Sequence, residues 1–213
     1  REDFGLPGRQ SAAGFLTWDS TIRTGSIGPN PKLTGSGGTG SGSNGVTGGV
    51  PTSWTVTRSG ANQACALSSV ARSDGMNALQ ADLSGSLGSE YHQLSTTSAI
   101  AIPSGLVAGQ YVALELEFEV IAANLLATMQ CNLISNGNTQ AVYLLSNGAT
   151  RAWSNLGAGV TSGRLAFRSE PMKLLAGTTS LTINLRMGCA SGGTATVQLL
   201  RCEVVEATSV DPI

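Results

Sequence analysis

The sequence predicts an all-β chain, an antiparallel β-sandwich or jelly roll preceded by an extended amino-terminal arm. Three observations lead there. Apolar residues alternate with polar ones at a period of two in several segments. Turn signals punctuate the chain at short intervals. No segment of ten or more residues carries a convincing helical period.

The amino-terminal stretch REDFGLPGRQSAAGFLTWDSTIRTGSIGP (1–29) contains apolar residues, Trp18 among them, without a clear period. It is expected to be an arm that docks on a neighbour or on the sandwich. Its first ten residues hold charge and no apolar run, unlike a secretory leader. The chain starts with Arg, as expected of a processed product or a portion of a longer chain. The next stretch, GSGGTGSGSNGVTGG (35–49), is composed as a flexible linker would be or as a close-packed intradomain loop would be.

From about residue 52 short strands are expected. The clearest is QYVALELEFEVIA (110–122), in which Val112, Leu114, Leu116, Phe118 and Val120 alternate with Ala113, Glu115, Glu117 and Glu119. That pattern predicts one buried and one wet face. In NLLATMQCNL (124–133), Leu125, Ala127, Met129, Cys131 and Leu133 share a face; in SLTINLRMGC (180–189), Leu181, Ile183, Leu185, Met187 and Cys189 do. In TVQLLRCEVVE (196–206), Leu200, Cys202 and Val204 line up, while Val197, Leu199 and Val205 make the other face apolar too. Further strands are expected at 54–58, 65–72, 77–83, 91–101, 141–146 and 164–168. Turns are expected at SDG, SGSLGS, PSG, SNGN, SNG, AGTT and, at 191–193, SGG. Nine or ten such strands without a fixed repeat suit a sandwich better than a propeller or solenoid.

The composition narrows function. Apolar residues make up 41 % of the chain and charged residues 12 %, with a net charge of −1, which favours a neutral ligand or a protein neighbour over nucleic acid or an anionic membrane. No run of 18 apolar residues occurs. Cys65, Cys131, Cys189 and Cys202 lack CxxC spacing, and one histidine (His92) leaves too few partners for a usual zinc site, so no metal or cofactor is expected. The last three fall on apolar strand faces, where core packing is the first reading and a disulfide the second; three pairings are open.

No catalytic signature stands out in the sequence. Glu115, Glu117 and Glu119 point the same way from one strand rather than across a substrate, and read as a solvated or calcium-tolerant acidic stripe. His92 has no nucleophile elbow to serve, and GSGGTG precedes no helix. The chain reads as non-catalytic. For sugar recognition, aromatic rings beside hydroxyl-binding polar groups are the useful chemistry. Trp153 beside Arg151 in NGATRAWSNLGAG is the foremost candidate; Tyr91 and Gln93 on one strand face and Tyr143 in AVYLL complete the set. Each has a structural role as its competitor, and Trp54 reads as core.

The order NPKLTGSGGTG, VPTSWTV, ARSDGMNALQADLSG, HQLSTTSAIAI, AGQYVALELEFEV, GTTSLTINLRM and SGGTATVQLLRCEVVE resembles the jelly-roll carbohydrate-binding modules of the galactose-binding-like type. It is most similar to those appended to bacterial and phage SGNH-type esterases and to phage fibre proteins. The resemblance spans roughly residues 30 to 206. It implies a sandwich over 30–213 that includes the glycine-rich loop, a core Trp54, and a glycan ligand on an extracellular or virion surface. A structural phage component, such as a capsid decoration, head fibre or tail protein, is the alternative. Its partners would be neighbouring chains, with a homo-oligomer as one form.

Overall fold

A computed structural model describes residues 26–28, 30–40, 45–61, 63–85, 90–97, 99–135, 141–143 (backbone) and 160–208. Among these, every regular element is a strand. In chain order they are β1 (Ser26–Ile27), β2 (Val46–Gly48), β3 (Trp54–Ser59), β4 (Ala64–Ala71), β5 (Asn77–Ser84) and β6 (Tyr91–Thr96). There follow β7 (Ile100–Ala101), β8 (Tyr111–Ser135), β9 (Ala141–Tyr143), β10 (Gly163–Arg168), β11 (Met172–Lys173) and β12 (Ser180–Ala207).

Two strands organise the rest. β8 has 25 residues and β12 has 28, and they run antiparallel along nearly their whole length. The carboxyl half of β8 and the amino half of β12 belong to a first layer, ordered β3–β6–β12–β8–β9, with β7 also on β12. The other halves belong to a second layer, ordered β2–β4–β5–β12–β8–β10, with β1 on β12 and β11 on β8. One continuous sheet thus doubles over a single core.

The bend lies where the pairing slips. Leu126 pairs with Cys189 and Asn124 with Thr194, so residues 190–193 bulge against Leu125 alone. The SGG at 191–193 therefore bends a strand instead of reversing it. Its amides are used: Gly192 N–H donates to Gly85 O (2.9 Å) and Gly85 N–H to Gly193 O (3.0 Å). Leu125, expected on the core face, has φ +63° and is 56 % exposed. The corner turns its side chain outward.

A second slip explains the two-faced apolar pattern of 196–206. Leu199 pairs with Phe118 and Arg201 with Glu117, leaving Leu200 as an extra residue. Before it the odd positions Ala195, Val197 and Leu199 enter the core; after it the even positions Cys202 and Val204 do. A bulge re-phases the faces by one residue.

The core gathers Trp54, Val56, Leu94, Val112, Leu114, Leu116, Phe118, Met129, Leu133, Ile183, Leu185 and Met187 from both layers. Fully burying each large side chain contributes about 1.5–3 kcal/mol. Trp54 is a core residue, as expected, and its indole N–H reaches Asn30 O at 3.3 Å. Residues 38–39 of the glycine-rich loop lie against the sandwich: Gly38 N–H donates to Val50 O and Thr39 N–H to Trp54 O. A Cβ at Gly38 would stand 2.1 Å from Pro51 O, so only glycine allows this approach. Ser26–Ile27, within the segment expected as an arm, adds to β12 at Val204–Val205. The strand expected over 91–101 is divided into β6 and β7.

Candidate functional site

The outer face of the first layer is the candidate site. Strand register lays its residues out in rows. One row runs Thr55, Ser95, Asn184, Asn132 and position 143; the next runs Thr57, Gln93, Arg186 and Gln130. Most of these side chains are half-buried or exposed, since the core takes the alternate positions Val56, Leu94, Leu185, Met129 and Cys131.

The groups are tied to one another. The Arg186 guanidinium lies 4.5 Å from the centroid of the Tyr91 ring. Its Nε donates to Gln93 Oε1 at 2.8 Å, Gln93 Nε2 donates to Ser95 Oγ at 3.1 Å, and Ser95 Oγ donates to Asn184 Oδ1 at 2.7 Å. Beside them the hydroxyls of Thr39, Thr55 and Thr97 are linked at 2.8 and 3.2 Å. Such a chain fixes the rotamers of long polar side chains before any ligand arrives, which reduces the ordering cost of binding. A surface of amides, hydroxyls and one guanidinium beside an aromatic ring suits a polyhydroxylated ligand.

Of the residues expected from sequence, Tyr91 and Gln93 come together here. Tyr143 is paired through its backbone with Asn132 at the end of a row; its side chain lies outside the described residues. Arg151, Trp153 and Trp18 also lie outside them. Arg186, Asn184 and Ser95 were missed. Their signal was present, because Thr182, Asn184 and Arg186 are the polar partners of the alternation that identified the core of β12.

The acidic stripe is a correction. Glu115 is 1 % and Glu117 0 % exposed, not solvated. The re-phasing at Leu200 sets Arg201 and Glu203 on the same outer face of the second layer. Arg201 Nη1 lies 3.2 Å from Glu115 Oε2 and 2.5 Å from Glu203 Oε1, and its Nε lies 3.7 Å from Glu117 Oε2. Arg168 holds Glu115 at 3.0 Å, Arg164 Nε donates to Glu117 at 2.8 Å, and Arg72 pairs with Glu119 at 2.5 Å and Asp74 at 3.1 Å. The Met76 amide holds the Asp74 carboxyl below its usual range; burial opposes this, and Arg72 and Arg164 add to the lowering. Burial opposes the Arg72 charge, but its bonds to Glu119 and Asp74 outweigh this and push its pKa up. Carboxylates paired in this way act as structural partners of the arginines.

This polar face continues through Gln198, Gln80, Asp82 and Thr196, which are hydrogen-bonded in series. It ends in an open trough of about 590 Å³ over Thr47, Ala66, Asp82, Ser84, Asn124 and Thr194. His92 is fully buried beneath the first layer. Burial pushes the Cys65 thiol up to about 12, with the Asp82 and Cys189 charges adding, and the Cys189 thiol up to about 11.

No family model and no curated protein sequence matches the chain. Among solved structures, the enzymatically active domain of bacteriophage CBA120 tailspike protein 4 is similar with a TM-score of 0.46 and 16 % identity, over 83 % of this chain and 22 % of that one. A carbohydrate-binding module structure of the β-sandwich superfamily follows at 0.43 and 12 % identity, over 71 % and 57 %. The family 11 carbohydrate-binding module of Clostridium thermocellum, in complex with a β-1,3-1,4-mixed-linked tetrasaccharide, gives 0.39 and 11 %, over 74 % and 91 %. The chain thus spans under two thirds of the first two. None aligns closely enough to transfer a residue's role.

Proposed function

We propose that the protein is a non-catalytic glycan-binding module that tethers a larger extracellular or virion assembly to carbohydrate. The observation that supports this reading is the preordered polar row Tyr91–Arg186–Gln93–Ser95–Asn184 on the outer face of the first layer, in a chain of net charge −1. In this reading the guanidinium and amides bind sugar hydroxyls and Tyr91 presents ring surface to the apolar side of a pyranose. Tyr143, Arg151 and Trp153 remain candidate sugar-binding residues on the strength of their sequence.

The structural virion component is the second reading. In that reading the exposed apolar side chains Val107, Ile121, Leu125 and Leu175 would meet neighbouring chains. Glycan-array binding of the purified chain separates the two. Glycan recognition predicts a saturable ligand whose affinity falls tenfold or more, about 1.4 kcal/mol, in Arg186→Ala and in Tyr91→Ala, with circular dichroism unchanged. Loss only in Trp153→Ala would move the site to the 144–159 segment. A silent array, with oligomers that dissociate when residues 1–25 are removed, would replace the glycan reading with the structural one.

A further inference from the structure

We propose that the four cysteines form two disulfide sites of a single connectivity, Cys131 with Cys202 and Cys65 with Cys189. All four are thiols in the core, each no more than 1 % exposed. Cys131 stands on the first-layer half of β8 and Cys202 on the second-layer half of β12, so this pair spans the two layers. Their side chains meet closely enough for a hydrogen bond. Cys65 stands on β4 in the second layer, and Cys189 ends the first-layer half of β12. The side chain of Gln63, two residues from Cys65, crosses to donate to Cys189 O at 3.1 Å and also reaches Glu90 O.

Register excludes the other two connectivities. Cys189 pairs with Leu126 and Cys131 with Leu185, so the two lie five residues apart along β8 and four along β12, with Ala127 as an extra residue between them. At strand rise that is about 13–17 Å, beyond the roughly 7 Å between Cα atoms that a disulfide can span. Cys65 is in register with Leu83 and, through it, with Ala195, and Cys202 lies seven residues beyond Ala195. That is about 20 Å even with one bulged residue. Cys189 and Cys202 pair with Leu126 and Leu116, ten positions apart on β8, which removes the remaining arrangement.

The bonds would form by thiol–disulfide exchange with a small disulfide such as oxidised glutathione. One cysteine thiolate attacks the reagent and expels a glutathione thiolate. The second cysteine attacks the mixed disulfide and expels another, the two protons ending on the released thiols. Each thiol is buried in the core, and burial pushes those of Cys65, Cys131 and Cys189 up, so exchange belongs to the folding chain and is slow in the native one.

The test is to refold the full chain from denaturant with reduced and oxidised glutathione, alkylate the residual thiols, digest, and map cross-linked peptides by mass spectrometry. The expected result is a protein lighter by two hydrogens per bridge, with Cys131–Cys202 and Cys65–Cys189 peptides and a higher denaturation midpoint than the reduced form. The Cys65→Ala/Cys189→Ala variant should retain the Cys131–Cys202 bridge; should that variant fail to fold, Cys131→Ala/Cys202→Ala should retain the other. A different dominant connectivity, or four alkylated thiols in the refolded protein, overturns the proposal.

Discussion

Arg201 shows how one side chain can change the character of a face. Its guanidinium meets Glu115, Glu117 and Glu203, all buried. A buried ion pair is weak evidence of net stability, since desolvating both charges offsets much of their attraction. Removing one member is different, because the remaining charges stay buried with fewer partners. Arg201→Met is therefore expected to cost about 3–5 kcal/mol in urea-denaturation stability. Glu203→Gln in the Arg201→Met background should cost less than Glu203→Gln alone, since its partner is already gone. Equal costs in the two backgrounds would mean that the pair is uncoupled.

At the scale of an element, bulges and glycines decide which face a residue joins. β12 reads as apolar on both sides in sequence because Leu200 shifts its phase, and β8 turns Leu125 outward at the corner. β2 shows a stricter constraint. Its Gly48 has φ +84°, and an added Cβ would lie 1.9 Å from Leu67 O on the paired strand β4. Gly48→Ala is expected to destabilise by at least about 1–3 kcal/mol, or to detach β2, read as faster hydrogen exchange at the Cys65 amide beside it. Gly75→Ala serves as a control: it also has φ +81°, but nothing lies within 4 Å, so it bears the backbone strain alone.

At the scale of the whole molecule, the two long strands make the layers inseparable. β8 and β12 each contribute one half to each layer, so neither layer keeps its central pair if the other unfolds. A single transition is expected, in which far-UV circular dichroism and exchange of core amides in both layers report the same midpoint. Separate midpoints for Leu94 in the first layer and Leu79 in the second would contradict that coupling.

The sequence by itself determined the all-β class, most strand positions, the buried Trp54 and the apolar faces of β8 and β12. Period-two alternation is a local consequence of the pleat, visible wherever a strand has one buried side. It also contained half of the candidate site, because Tyr91 and Gln93 share a strand face, as do Asn184 and Arg186. Only the tertiary structure decided that these two pairs are neighbours, since register between β6 and β12 is set by distant chain segments. It likewise decided that Glu115 and Glu117 are buried. The alternation marks Glu as facing away from the core, but it cannot show that Arg164, Arg168 and Arg201 converge there from β10 and β12. The same non-local register selects one of three cysteine pairings. Composition and spacing report what each residue prefers; which preferences are satisfied together depends on where two strands more than twenty residues long bend and slip.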